Sequence, residues 1–355
     1  MKARAMSDIK PTRFGIVGCG TASIPVCEAM AASPLTELAA VYDVNPDMAR
    51  DISLRFQAPM MGSLSELLSN MSVDAAYIAV PHYLLAPLTR QALEAGKHVL
   101  TEKPLAISVE EIDALIALAT ERQLSLGVFY EMRYAPAHAP ARELIQAGAI
   151  GNIIGVRIQT LIDKTPTYWQ SGYMGRSVNP WRGIKAQAGG GVVLMNTSHL
   201  LDAVAYVTGL VVTSVSAEIG TLVADVEVED IAVATLRFNN GAVGSLMAGA
   251  HISGARNEEC CYLYGTQGQL RLPDPYGSDR LQLYLKRAWG DFTAVQWHTL
   301  PTEPVQVYQR ALEDFAQSVQ SRQSVPIGGE AARQVLAVVS AIYQSASERR
   351  IISIS

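Results

Sequence analysis

The sequence predicts an α/β doubly wound parallel sheet over residues 1–131, followed by an α+β region over 132–355 with a large, mainly antiparallel open sheet. Three observations carry this prediction. Up to Tyr130 short apolar runs alternate with helical patterns, the order expected of parallel strands joined by crossover helices. The first apolar run, Arg13–Val17, breaks into Gly18-Cys19-Gly20, as a buried strand does when it turns into a helix. Beyond Val207 strand-like runs recur closely, with turn signals such as Asn239-Asn240-Gly241 between them, which favours antiparallel pairing.

In the first region the strands read as Arg13–Val17, Leu38–Asp43, Asp74–Pro81, Lys97–Thr101 and Ser125–Tyr130. Between them lie a helix after Ser23, one from about Asp47, a short amphipathic one at Ser63–Leu68, one ending at Ala95-Gly96, and Ser108–Arg122. The second region opens with a helix, Ala139–Ala147, a strand, Ile153–Ile158, and a segment rich in Gly, Pro, Tyr and Trp. A helix over Val192–Val207 follows, then strands Thr213–Ile219, Asp230–Phe238, Ala242–Ala250, Glu258–Tyr264, Gln269–Leu272 and Leu281–Leu285. Helices Val307–Val319 and Ala331–Ser347 complete the pattern. Helices on one side of an open sheet leave the other face to bury, so a homo-oligomer, dimer or tetramer, is expected.

With 355 residues, 49% hydrophobic and 17% charged, the chain can bury a sizeable core. A net charge of -5 with scattered Lys and Arg gives no basic field for nucleic acid. No apolar run is long enough to cross a bilayer, and Met1–Asp8 lacks the apolar segment of a signal peptide, so a cytoplasmic protein without membrane partners is expected. The four cysteines show no zinc-type spacing, and Cys260 and Cys261 point to opposite faces of a strand, so all are expected reduced and no metal site is expected. Cys19, at a helix start, reads as a small residue in a crowded turn or as a thiol of lowered pKa.

The glycine turn is suited to a pyrophosphate. Gly18 gives the backbone its freedom, Gly20 removes an obstructing side chain, and the N–H groups from Thr21 and Ala22 onward face the anion. Ser23 replaces the third glycine and is small enough for close packing. Asp43 ends the second strand about 20 residues further on, where the acid of a Rossmann domain grips the ribose hydroxyls. The alternative is that Asp43 caps the helix begun by Asn45-Pro46. No Lys or Arg follows Asp43 in Val44-Asn45-Pro46 to neutralise a 2′-phosphate, so NAD is expected in preference to NADP. Thr101-Glu102-Lys103-Pro104 follows a strand at the carboxyl edge of the sheet, where Lys103 can hydrogen-bond a reacting oxygen or stand as a solvated loop lysine.

Several stretches together resemble the glucose-fructose oxidoreductase / inositol dehydrogenase / MocA family over almost the whole chain. They are Gly18-Cys19-Gly20, Tyr77–Pro81, Ala92–Pro104 with its Glu102-Lys103-Pro104, Arg133–Pro136, Gly189-Gly190-Gly191 with His199 and Asp202, and Glu229-Asp230. The resemblance implies an NAD(P)-dependent oxidoreductase acting on sugars, cyclitols or similar hydroxylated rings, with a frequently cis Lys103-Pro104 bond. It implies that His199 is the acid/base beside Lys103, a task that suits imidazole near neutral pH. It also places Val80, Pro81, His82, Glu102, Lys103, Arg133, Trp181 and Arg182 near the cofactor. His82 stands where many relatives have Asn and Leu85 where a His often occurs, so His82 is an alternative proton carrier.

One departure bears on the chemistry. Relatives often carry Asp or Asn four residues before the histidine; this chain has Met195, whose thioether cannot orient imidazole. Asn196 and Asp202 are the nearby polar candidates. Aromatic plates and cations in Tyr168–Lys185 suit the faces and hydroxyls of a sugar ring, which makes Tyr173, Lys185, Met195 and Asn196 candidate substrate contacts alongside Trp181 and Arg182. Alternative readings are a cyclic dihydrodiol dehydrogenase, an NAD-dependent glycoside-processing enzyme and a non-catalytic dinucleotide-sensing protein.

Overall fold

The computed structural model describes residues 10–165, 167–177, 179–255, 258–275 and 280–354; the N-terminal stretch Met1–Asp8 lies outside them. The chain forms two compact units, one of residues up to Phe129 with Tyr308–Ala332, the other of Tyr130–Val307 with Arg333–Ser355.

The first unit is a five-stranded parallel sheet of β1 (Thr12–Val17), β2 (Thr36–Tyr42), β3 (Ala75–Ile78), β4 (His98–Glu102) and β5 (Leu126–Phe129), in the order β2-β1-β3-β4-β5. Ala75, Ala76, Tyr77 and Ile78 are all buried, as strands covered on both faces require. The crossover helices begin with local caps: the side chains of Asn45, Ser63 and Ser108 accept from the N–H groups of Asp47, Glu66 and Glu111. Residues past Tyr308 also build this unit. The Phe315 ring lies 5.9 Å from that of Phe14, and Val128 N–H donates to Ile327 O at 2.9 Å.

The second unit is built on a nine-stranded sheet. Its strands are β6 (Ile153–Leu161), β7 (Val212–Gly220), β8 (Ile231–Phe238), β9 (Val243–Gly249), β10 (Glu258–Gly265), β11 (Gly268–Leu272), β12 (Gln282–Leu285), β13 (Trp297–Thr299) and β14 (Ile352–Ser353). The order is β13-β12-β11-β10-β6-β9-β8-β7-β14, antiparallel except for the parallel pair β6 and β9. β8 shows the two-residue period, with Ala232, Ala234, Leu236 and Phe238 buried while Val233 is exposed. Leu201 and Val204 of the helix Ser198–Thr208 and Val335 and Val338 of the helix Gly329–Glu348 line one small cavity together with Ile158 and Phe238 from one face of the sheet. The other face carries exposed Val233, Val243 and Met247.

Most elements lie where the sequence puts them. The single helix expected over Val192–Val207 is instead a π turn, Val193–Thr197, leading into the α-helix Ser198–Thr208. β13 and β14 are too short for periodicity to mark. All four cysteines are free; Cys261 is buried and Cys260, its neighbour on the opposite face, is half-buried. Among the described residues no helix is long and apolar enough to cross a membrane.

Candidate active site

In the first unit the strand order reverses between β1 and β3, and the turns after both strands lie at the carboxyl edge, where ligands of such sheets bind. Gly18 follows β1 with φ at 95°, and a Cβ there would stand 2.2 Å from Ala79 O, so only glycine fits. A Cβ at Gly20 would meet nothing within 4 Å, which leaves open space beside the backbone, as a bound phosphate needs. Ser23 Oγ donates to Gly20 O at 2.8 Å, so the residue in place of the third glycine ties the turn to the helix Ser23–Ala32. No side chain caps that helix at Ala22 and its first turn holds no acid, so an anion suits the N–H groups from Thr21 onward.

Asp43 belongs to the same turn. Its Oδ2 accepts from Cys19 N–H and its Oδ1 from Asn45 N–H, both at 2.7 Å. Asn45, not Asp43, caps the helix Pro46–Phe56, which corrects the capping alternative. Cys19 is buried, with Sγ 3.8 Å from Tyr42 O. Val80 and Pro81 follow β3, and buried His82 opens the helix His82–Glu94. After β4, Glu102 accepts from Tyr77 Oη at 2.6 Å; burial raises its pKa against the opposing pull of the Lys103 ammonium and the tyrosine. The Lys103–Pro104 peptide is cis.

In the second unit the triple glycine fixes the start of the His199 helix. A Cβ at Gly191 would lie 1.9 Å from Glu229 O, so the two chains cross at backbone contact. The Glu229 carboxylate accepts from Gly191 N–H at 2.7 Å, Val193 N–H at 2.9 Å and Tyr343 Oη at 2.9 Å. Burial raises its pKa, opposed by these donors.

His199 is buried, with Nδ1 3.7 Å from Glu131 Oε2 and the Tyr130 ring edge-on at 5.8 Å. Asp202 is engaged elsewhere: Arg133 Nε donates to its Oδ2 at 3.0 Å and Nη2 to its Oδ1. The same guanidinium lies 5.1 Å from the Tyr206 ring centre. Met195 is buried and its sulfur accepts from Tyr168 Oη at 3.6 Å, while Asn196 Oδ1 accepts from Lys164 Nζ at 2.7 Å.

Around Lys164 gathers an aromatic cluster. Its Nζ lies 3.5 Å from the centre of Tyr168, 5.4 Å from Trp169 and 5.8 Å from Tyr173. Trp169 Nε1 donates to His251 Nε2 at 2.9 Å, which leaves His251 Nδ1 to donate to Lys164 O at 3.0 Å. Arg182 stacks 4.6 Å from Trp181 and 5.4 Å from Tyr168. The sequence candidates Tyr173, Trp181, Arg182, Met195 and Asn196 thus share one neighbourhood. Lys185 is exposed; its backbone N–H donates to Glu227 Oε2 at 2.9 Å and its carbonyl accepts from Gly189 N–H at 2.8 Å.

Sequence reasoning missed Glu131, Lys164 and His251. Glu131 has a usable signal, standing two residues before Arg133; Lys164 and His251 have none, since chain folding alone brings them together. Among the described residues no group of three or more His, Cys, Asp or Glu side chains is placed to hold a metal ion.

Residues 12–130 match the model of the "Oxidoreductase family, NAD-binding Rossmann fold", and residues 138–271 match the "GFO/IDH/MocA C-terminal domain". The chain is similar to 1,5-anhydro-D-fructose reductase of Ensifer adhaerens, with 29% identity over 80% of this chain and 81% of that protein. It is 38% identical to dTDP-3,4-didehydro-2,6-dideoxy-alpha-D-glucose 3-reductase of Streptomyces violaceoruber, but that match spans under half of each, 43% and 45%. Its fold is similar to that of levoglucosan dehydrogenase in complex with NADH and levoglucosan, with a TM-score of 0.87, 24% identity, and coverage of 97% of this chain and 100% of that one. Gly18 with Asp43 at the carboxyl edge of a parallel sheet, and a second unit built on an open antiparallel sheet, are thus the two halves of one known design, and the chain belongs to the glucose-fructose oxidoreductase / inositol dehydrogenase / MocA family of NAD-dependent oxidoreductases.

Proposed function

We propose that the protein oxidises, reversibly, a secondary alcohol on a sugar, cyclitol or related polyol. Residues 1–131 hold the coenzyme, through Gly18, Gly20, Thr21, Ala22, Asp43, Val80, Pro81 and His82, and residues 132–355 hold the substrate and associate with another copy through the open sheet face. NAD, when bound, supplies the hydride acceptor. Lys103 hydrogen-bonds the reacting oxygen and stabilises its alkoxide character, and His199 takes the hydroxyl proton. The observation that carries this reading is His199 itself, a buried imidazole at 3.7 Å from a carboxylate, on a helix whose entry is pinned by Glu229. The names of the relatives, a sugar reductase and an anhydrosugar dehydrogenase among them, support the substrate class.

A cyclic dihydrodiol is the second reading, favoured by Met195: its thioether makes the position one turn before His199 apolar. NADH formation on a panel of monosaccharides, anhydrosugars and inositols, set beside arene dihydrodiols, separates the two. His199→Asn is expected to lower kcat by roughly 100-fold or more while leaving NADH binding intact. A loss of only a few-fold removes the proton-transfer role.

A further inference from the structure

We propose that Glu131 is the positioning residue for His199, setting its tautomer and neutralising its charge when it takes a proton; the inference rests on the role given to His199 above. Glu131 opens the short 3-10 turn Glu131–Tyr134 that follows β5. It is 6% exposed and His199 7%. A carboxylate buried to that degree is costly unless a cation or donor faces it.

The turn and the helix meet through two crossed pairs. Glu131 faces His199; two residues on, Arg133 grips Asp202, which lies three residues after His199 and so on the same side of the helix. The turn offers an acid and then a base, and the helix an imidazole and then an acid. The two-point Arg133–Asp202 contact fixes how the turn lies on the helix, and thereby sets Glu131 opposite Nδ1. It also occupies Asp202, just as Lys164 occupies the Asn196 oxygen, while Met195 has no charge to give. The carboxylate at the histidine thus comes from across the packing interface.

The chemistry follows from the nitrogen it addresses. A negative charge beside Nδ1 favours the tautomer with its proton there, which leaves the Nε2 lone pair to take the proton of a substrate hydroxyl. As the alcohol is oxidised its O–H bond breaks, a bond from that proton to Nε2 forms and the freed oxygen pair becomes the second C=O bond, while a bound NAD would accept the C–H pair as hydride. The imidazole then carries a positive charge beside Glu131. At 3.7 Å the carboxylate is beyond hydrogen-bond distance, so it acts on the neutral ring through its charge alone, and the contact becomes an ion pair once the ring is protonated.

Two variants test it. Glu131→Met removes the carboxylate at similar volume, and Glu131→Gln keeps an acceptor without charge. Nitrogen NMR of isotope-labelled protein at mildly alkaline pH reads the tautomer, with the His199 signal identified among the six histidines by its absence in His199→Asn. Wild type is expected in the Nδ1–H form, Glu131→Met is expected to shift toward Nε2–H, and Glu131→Gln, which keeps only an amide dipole, to lie between the two. In Glu131→Met kcat should fall roughly 10- to 100-fold with KM changed less than about three-fold, and Glu131→Gln should recover part of that loss. A wild-type tautomer in Glu131→Met overturns the proposal. A shifted tautomer with unchanged kcat upholds the contact and refutes the proton-transfer role of His199. If Glu131→Met does not fold, Glu131→Gln decides: kcat lowered by more than about three-fold supports the charge role, and wild-type kcat overturns it.

Discussion

The two units carry their chemistry in different materials. In the first the turn suited to the coenzyme is main chain, with Lys103 the side-chain exception: a left-handed glycine pressed against Ala79 O, an open edge at Gly20, and a carboxylate, Asp43, that holds two backbone N–H groups. In the second it is side chains, drawn from the Glu131–Tyr134 turn, the end of β6, the short helix Tyr168–Ser171, the π turn and the helix Ser198–Thr208. A main-chain device needs a fixed spacing and tolerates few substitutions. A side-chain device draws its groups from several elements, as the Glu131 carboxylate facing His199 does.

Asp202→Asn should have the largest effect. It strips a charge from a buried pair and leaves the Arg133 guanidinium without its carboxylate, a loss of about 3 kcal/mol. Amide hydrogen exchange should speed up in the helix Ser198–Thr208 while β1 to β5 keep their protection. An equal loss in both units would break the contrast. Gly18→Ala is the reciprocal case, expected to cost about 1–3 kcal/mol through φ strain and the clash with Ala79 O. The displaced turn should also weaken NADH binding, by about fivefold or more, and unchanged affinity would deny the main chain its role.

The smallest effect sharpens the contrast within two neighbouring residues. Asp230 accepts from Leu222, Val223 and Ala224 N–H; burial pushes its pKa up, and the three donors outweigh burial and hold it below 3.8. Its stabilisation is therefore complete above the unfolded value and is lost as pH falls through the lower folded value. Glu229, raised by burial, has the opposite sign: its contribution is complete below the unfolded value and declines as pH rises through the folded one. Asp230→Asn should cost about 1 kcal/mol at neutral pH, with the wild-type and variant stability curves converging in acid. Curves that stay parallel down to acid would show that Asp230 contributes nothing through its charge.

How much could be read in advance follows the same division. The parallel sheet, the glycine turn and Asp43 are local patterns, visible within a few tens of residues. The open sheet was visible through the two-residue period of β8 and its neighbours. Asp43 reads in the sequence as a ribose ligand or a helix cap, and the structure gives the cap to Asn45, which accepts from Asp47 N–H. The π turn was invisible, because residues 192 to 207 keep a helical pattern while one turn widens. Helical spacing offers His199 partners only on its own element, at Met195, Asn196 and Asp202. Glu131 lies 68 positions away in the chain, and no periodicity connects the two.

Both units are discontinuous in the chain, and this bears on how the protein is made. The edge strand β5 waits for Ile327 to accept its Val128 N–H, and the Gly191 crossing waits for Tyr343 to reach Glu229. A ribosome delivering the chain from its amino end thus releases the five-stranded sheet before the residues past 308 that pack on it, and the nine-stranded sheet before its edge strand β14. Truncating this late segment should leave nascent chains with bare apolar faces, a substrate for chaperones rather than a smaller working enzyme.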